Sequence, residues 1–317
     1  MAENAVNKVI AVVGATGAQG GGVIRAIAAD AGGGFAGRAL TREPSSEAAK
    51  SLAAADVEVV QADLDDRASL ERAFAGAHGV FGVTNFWEHY SPDKEIEQAR
   101  NIAAAAKAAD VRHVIWSTLE DTRQWVPLDD DRMPTLNGKW KVPHYDGKGE
   151  AEKEFADVPT TLLRTSFYWE NMIYFGMGPQ RGEDGRLTIT FPIGDKRLPG
   201  MGAEDIGKTA YAIFKSGNDY IGKVVSIAGE HLSGAEMAAG LSEALGEAVQ
   251  YTAIEPAVYR GLGFPGAEDL GNMFQITRDF EPEYAGPRDV QRTRALNPAL
   301  KDFRTWLAEN KSRIPLG

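Results

Sequence analysis

The stretch Val9-Ile10-Ala11-Val12-Val13-Gly14-Ala15-Thr16-Gly17-Ala18-Gln19-Gly20-Gly21 decides the fold. An unbroken apolar run is what a strand buried on both faces requires. Glycines at 14, 17 and 20 follow at once, and 21–30 then reads as a helix. In such a strand–turn–helix unit one glycine makes the sharp turn. A second lets backbone amides approach a pyrophosphate, and a third lets helix and strand pack closely. The helix N-terminus adds unpaired N–H groups and the positive end of its dipole. Gly14, Ala15, Thr16, Gly17, Ala18, Gln19 and Gly20 are therefore the candidate phosphate contacts, at the spacing Gly-x-x-Gly-x-x-Gly.

Outward from this segment, short apolar runs recur at 38–41, 57–61, 79–83, 111–117 and 160–164. Helical patterns separate them at 46–55, 68–75 and 92–109. In the last of these Ile96, Ala99, Ile102 and Ala106 share one face. Strand–helix alternation of this kind predicts an α/β fold, a Rossmann-type doubly wound parallel sheet. The second half is less regular. It reads as strands at 187–191 and 223–227 and helices at 203–215 and 234–245, the latter opened by the capping-box spacing of Ser233 and Glu236. Asn297-Pro298 has the form of a cap and first residue of a final helix. The longest loop, 121–143, carries Trp125, Trp140 and Asp129-Asp130-Asp131; a loop of this length inside a compact domain is usually functional or mobile.

In such sheets ligands bind at the carboxyl ends of the strands. The second strand ends in Thr41-Arg42, and an arginine there accommodates a 2′-phosphate where an acidic residue would take a ribose hydroxyl, so NADP(H) is the expected cofactor. Asp63 and Leu64, after the third strand, are placed beside the adenine. Thr84, Asn85 and Phe86, after the fourth, line the next stretch of cofactor. Asp63 also reads as part of a turn and cap, since Asp-Leu-Asp-Asp precedes a helix.

Composition narrows the alternatives. The 317 residues include no cysteine, which removes disulfides, thiolate metal sites and thiol nucleophiles. A formal net charge of −11 argues against a nucleic-acid footprint. No apolar run approaches the ~18 residues of a membrane helix. Met1–Lys8 is polar and leads straight into a strand, unlike a signal peptide, so a cytoplasmic setting is expected. The histidines His78, His89, His113, His144 and His231 show no metal-ligand spacing, and Asp65-Asp66 reads as solvated turn charge.

The chain resembles the NmrA-like family of atypical short-chain dehydrogenases and, within it, the HSCARG-type NADP(H)-sensing branch. The resemblance rests on Gly14 to Gly21, Val59-Val60-Gln61-Ala62-Asp63, Val83-Thr84-Asn85-Phe86-Trp87-Glu88, Asp146-Gly147-Lys148-Gly149-Glu150, Phe167-Tyr168-Trp169-Glu170-Asn171 and Gly263-Phe264-Pro265-Gly266-Ala267. It implies a Rossmann domain over 1–165, completed by about 203–228, and a smaller α+β C-terminal domain over 166–317. It also implies NADP(H) contacts from Lys148, Phe167 and Tyr168 beside those already named. Two departures stand out: Glu43-Pro44-Ser45-Ser46 follows Arg42 where the family usually carries a second basic residue, and the family contains reductases as well as sensors.

A working short-chain dehydrogenase needs a proton donor one helical turn before a lysine, with a serine orienting the substrate oxygen. Ser117 and Lys148 fit the serine and lysine, but His144 stands four residues before Lys148 and Tyr145 only three. His144 is able to donate a proton in the useful pH range, or serves packing at the loop–helix junction. Phe167, Tyr168 and Trp169 read either as an apolar wall or as core. Two functions remain open. One is a redox-sensing regulator acting through a protein partner. The other is an NADPH-dependent oxidoreductase of a quinone or carbonyl electrophile. A monomer or homodimer suits either.

Overall fold

The computed structural model describes residues 7–317; positions 1–6, part of the polar lead-in at Met1–Lys8, lie outside the described residues. The chain divides into two compact units of nearly equal size. The first is Met1–Glu120, Gly147–Arg164 and Ile206–Val225, and the second is Asp121–Asp146, Thr165–Asp205 and Ser226–Gly317.

The first unit is built on strands β1 (Lys8–Val12), β2 (Phe35–Thr41), β3 (Glu58–Gln61), β4 (Gly79–Gly82), β5 (His113–Thr118) and β6 (Thr160–Arg164). With Val224–Ser226 they form a seven-stranded sheet in the order Val224–Ser226, β6, β5, β4, β1, β2, β3. β1 pairs in parallel with both β2 and β4, so the direction of winding reverses between β1 and β4. That is where a doubly wound sheet opens a crevice at its carboxyl ends. The central runs stay dry on both faces, with Ile10, Val12, Val80, Phe81, Val114 and Ile115 fully buried, whereas the edge strand β3 has no buried residue. The connecting helices are α1 (Ala18–Ala29), α2 (Glu47–Ala54), α3 (Arg67–Phe74), the single turn α4 (Phe86–His89), α5 (Pro92–Ala108) and α6 (Pro143–Ala151). The stripe Ile96, Ala99, Ile102 and Ala106 of α5 is buried, as its spacing requires.

His113 sits on β5 with its Nε2 donating to Thr161 Oγ1 at 2.7 Å, while that hydroxyl donates to the Tyr220 carbonyl. Burial pushes the His113 imidazole down to about 4. A depressed folded-state pKa means that the unfolded chain binds the extra proton first. Stability should be fully present above the unfolded value of about 6.5 and decline as pH falls toward 4. His113→Gln should flatten this acid limb by roughly 2–3 kcal/mol, read from urea melts at pH 7 and pH 4.5. An unchanged slope would discharge His113 from the role.

The second unit holds two three-stranded sheets. In one, Arg197–Met201 lies between Glu230–Ser233 and Phe167–Tyr168; in the other, Leu187–Phe191 lies between Val249–Ala253 and Gln180–Arg181. Ser233 and Glu236 make the expected capping box on Gly234–Leu245. The final helix differs from the sequence expectation. It is Phe303–Asn310, capped by Asp302, whereas Asn297 closes the preceding helix Val290–Leu296 and donates its side chain to Asp205 at 3.0 Å. A buried carboxylate in need of a donor outcompeted the local capping signal.

Segment 121–146, expected with the first domain, belongs to the second unit. Its partners explain why. The buried Asp146 carboxylate accepts the backbone and hydroxyl donors of Thr122 and the N–H groups of Lys141 and Val142 at 2.6–3.0 Å. Burial nonetheless raises the Asp146 pKa, the hydrogen bonds opposing it. Asn272 donates to the carbonyls of Pro134 and Lys141, and Gln275 donates to that of Arg132. The long loop is thus stapled by side chains, beside a short 3-10 turn at Thr122–Gln124 and a backbone bridge between Leu136 and Trp140. Asp130 pairs with Arg132, whose guanidinium holds its carboxyl down to about 2. Asp65-Asp66 is likewise committed. Asp66 caps α3, and Asp65 accepts from Gln98 and pairs with Lys94 at 2.9 Å.

Candidate functional site

The carboxyl ends of β1, β2, β3 and β4 gather most of the residues singled out from the sequence within the first unit. Gly14 turns the chain out of β1 with φ +63, a left-handed conformation that side-chain-bearing residues rarely adopt. Gly17 donates its N–H to the Gly14 carbonyl at 2.8 Å and caps α1 without a side chain. Gly20 presses on this turn so closely that a Cβ there would lie 2.4 Å from the Gly14 carbonyl oxygen. Gly14, Thr16, Gly17 and Ala18 are exposed, whereas Ala15, Gln19 and Gly20 are buried. The first turn of α1 therefore offers amide donors at an exposed surface that no side chain caps, and the shape and donor set fit a dinucleotide pyrophosphate.

Arg42 follows β2 as expected, but it already has a partner. Both of its terminal nitrogens engage the Glu88 carboxylate, with Nη2 at 3.1 Å from Oε2. Glu88 holds the guanidinium above its ordinary pKa, and the charges of Asp63 and Asp65 add to this. Ser45, in the segment where the family usually carries a second basic residue, donates to Glu43. Asp63 is exposed, and its Oδ1 accepts the Asp65 N–H at 3.0 Å. Its backbone N–H donates to Ser69, so it supports a turn and is also open to ligand. Leu64 is half-buried, and its carbonyl accepts from Asn101. Asn85 is exposed, while Thr84 and Phe86 are buried.

Lys148 is brought to the end of β4. Its ammonium donates to Thr84 Oγ1 at 2.7 Å and to the Thr84 carbonyl at 3.2 Å. It also lies 3.0 Å from Oε2 of Glu95, a residue of the first turn of α5 with no solvent exposure. Neither Glu95 oxygen accepts a well-aligned hydrogen bond, and the other cationic candidate, His89 Nε2, stands 4.0 Å off. The neighbour of Lys148 makes the approach possible. A Cβ on Gly147 would lie 3.0 Å from Cα and Cβ of Pro92, the first residue of α5. Glu95 was not among the residues singled out from the sequence. The signal was there: it falls on the buried Ala99, Ile102 and Ala106 stripe, and a carboxylate on an apolar helical face calls for a counter-charge.

The candidate catalytic residues are differently placed. Ser117 is buried, and its hydroxyl donates to Gln19 Oε1 at 2.7 Å. The serine therefore braces the phosphate loop. His144, on the first turn of α6, belongs to the second unit. It is buried, with Nδ1 at 2.6 Å from Asp269 Oδ1 and its backbone N–H donating to Asp269 Oδ2. Asp269 lies 125 residues along the chain, and nothing in the local sequence announced it. Tyr145 shares a 2.8 Å hydrogen bond with the buried Tyr284 hydroxyl. Phe167 packs on Phe191 and Phe274, and Trp169 on Phe303 and Trp306, and both rings are buried in the second unit. Tyr168 is half-buried in the same strand.

A parallel sheet reversing between β1 and β4, with a glycine cradle at that reversal and a cation after β2, defines a dinucleotide-binding protein of the Rossmann type. The sequence model of the NmrA-like family matches residues 6–307, and the chain belongs to that family. The NmrA-like family domain-containing oxidoreductase FrzB of Cladobotryum sp. is 30% identical over 302 residues, covering 88% of this chain and 86% of FrzB. The related oxidoreductase ptmS of Penicillium ochrochloron is 27% identical, covering 95% and 97%. The negative transcriptional regulator NmrA, solved in complex with NADP, superposes with a TM-score of 0.77 at 25% identity over 96% of this chain and 95% of NmrA. NmrA has also been solved with NAD, with a TM-score of 0.78.

Proposed function

We propose that this protein binds NADP(H) in the first unit and acts as a redox-sensing regulator of the HSCARG type, with slow or no turnover of ordinary carbonyls. The cradle of Gly14 to Gly20 receives the pyrophosphate, Arg42 faces the 2′-phosphate, and Lys148 with Thr84 stands at the far end of the cofactor path. The structures of NmrA with NADP and with NAD support the cofactor class. NADP(H) supplies hydride chemistry when bound; the chain's own groups decide whether that chemistry has an acid to work with.

The observation that carries the regulatory reading is the engagement of the groups a dehydrogenase would use. Ser117 is tied to Gln19, Lys148 to Thr84 and Glu95, and the position four residues before Lys148 is a buried histidine tied to Asp269. Without a well-placed acid, carbonyl reduction loses about 10²–10⁴-fold in rate. A cytoplasmic regulator of this kind works through a protein partner. The net charge of −11 makes direct nucleic-acid contact unfavourable. Among the described residues no helix is long and apolar enough to cross a membrane.

The second reading, an NADPH-dependent oxidoreductase of a quinone or carbonyl, is favoured by one observation: a carboxylate on Nδ1 is how proteins fix the tautomer of a histidine that exchanges protons at Nε2. It is also supported by relatives named as oxidoreductases. The experiment is NADPH oxidation against a panel of quinones, aldehydes and ketones with the wild type and His144→Phe. The regulatory reading expects carbonyl turnover near background and no effect of His144→Phe. Brisk carbonyl reduction that His144→Phe destroys, with the variant's circular dichroism and melt unchanged, would make the protein an enzyme with His144 as its acid.

A further inference from the structure

Arg42 is the only residue following β2 with a charge suited to a 2′-phosphate, since Glu43, Pro44, Ser45 and Ser46 come next. Yet its whole guanidinium fork is turned to the Glu88 carboxylate, Nη1 to Oε1 and Nη2 to Oε2. A carboxylate and a phosphate monoester are gripped by the same two-pronged geometry, so one fork cannot serve both fully at once. The pair is exposed, with 61% of the Arg42 side chain and 45% of the Glu88 side chain accessible. Exposed pairs of this kind are weak and open readily. They compete with a ligand; they do not block it. Glu88 rides on α4, which begins one residue after Asn85 at the end of the β4 turn. Phe86 anchors that turn in the core and stacks edge-on with Trp87 and Tyr90. The carboxylate is therefore presented from a fixed turn at the rim of the site.

We propose that Glu88 is a specificity-determining residue, an internal competitor that occupies Arg42 when no 2′-phosphate is present and so narrows the margin by which the protein prefers NADP(H) to NAD(H). This rests on the cofactor reading above. NAD(H) has no group that needs Arg42, so it binds with the Arg42–Glu88 pair intact. NADP(H) has to displace Glu88 and then sits beside a released carboxylate, with Asp63 and Asp65 also close enough to act on Arg42. The consequence is a cofactor threshold set by an acid–base pair within the chain.

The test is calorimetric titration of NADP⁺ and NAD⁺ into wild type, Glu88→Gln, Arg42→Gln and the double variant at low salt. Glu88→Gln should tighten NADP⁺ by about three- to tenfold, the range that the release of one exposed ion pair and one nearby like charge allows. It should leave NAD⁺ within about twofold, and Arg42→Gln should erase the gain. Raising the salt should shrink it, because exposed charges are screened. An equal change for both nucleotides would mean that Glu88 merely shapes the turn and would overturn the proposal. So would tight wild-type binding with no gain for NADP⁺ in Glu88→Gln. A wild type that binds neither nucleotide would overturn the cofactor reading itself and this inference with it.

Discussion

Lys148→Met should destabilise the protein by about 3–5 kcal/mol, the largest effect expected from any single side chain at the site. The reason lies in what remains. Glu95 has no exposure, and the ammonium 3.0 Å away is its close ion-pair partner, with His89 Nε2 at 4.0 Å. Taking that ammonium away leaves a buried carboxylate whose next basic neighbour, His89 Nε2, is 4.0 Å off, and breaking such a pair is more costly than removing it whole. Glu95→Gln alone should be milder, because Lys148 keeps both of its Thr84 acceptors. Glu95→Gln placed in the Lys148→Met background should recover most of the loss. Urea melts of the four proteins form the cycle. If Lys148→Met unfolds at the same urea concentration as wild type, or if the double variant is no better than Lys148→Met, the ion pair is not what stabilises this corner. Lys148 therefore has a structural duty whatever it does for a cofactor, and loss of binding in a Lys148 variant is interpretable only beside its melt.

Gly20→Ala should weaken NADP(H) binding by tenfold or more and lower stability by about 1–3 kcal/mol, possible only if the backbone moves. The added Cβ would lie 2.4 Å from the Gly14 oxygen, 2.7 Å from the Gly14 carbonyl carbon and 2.7 Å from the Val13 oxygen. All three are backbone atoms of the turn that forms the cradle, so relief of the clash displaces the amides that face the phosphates. Gly17→Ala separates the two effects. Its Cβ meets only the Gly14 oxygen, at 3.2 Å, so the melt should change little while binding still falls. Calorimetry of both variants beside circular dichroism decides the matter. Full-strength binding by Gly20→Ala would show that the turn is not the cradle.

The fold was legible because its signals are local. Strands buried on both faces are largely apolar, and the runs 10–12, 79–82 and 114–116 read that way in the sequence and are dry in the structure. The glycine spacing is fixed by backbone contacts within a few residues, and Gly14 and Gly20 meet the requirements that their spacing implied. The capping box of Ser233 and Glu236 is local in the same sense. The cap placed at Asn297 failed because Asp205, far away in the chain, claimed its side chain.

What the sequence by itself determined is thus the parallel sheet, the cradle at its reversal and the cation after β2, each the product of neighbours in the chain. What only the tertiary structure decided is how those groups are used. Arg42 and Lys148 carry the charge the sequence promises, but Glu88 and Glu95 occupy them; Ser117 and His144 have the right chemistry, but Gln19 and Asp269 hold them. A residue type fixes what a side chain can donate or accept. A buried or clustered charge has to find its complement wherever the fold brings one, and for Asp269 that complement lay 125 residues away.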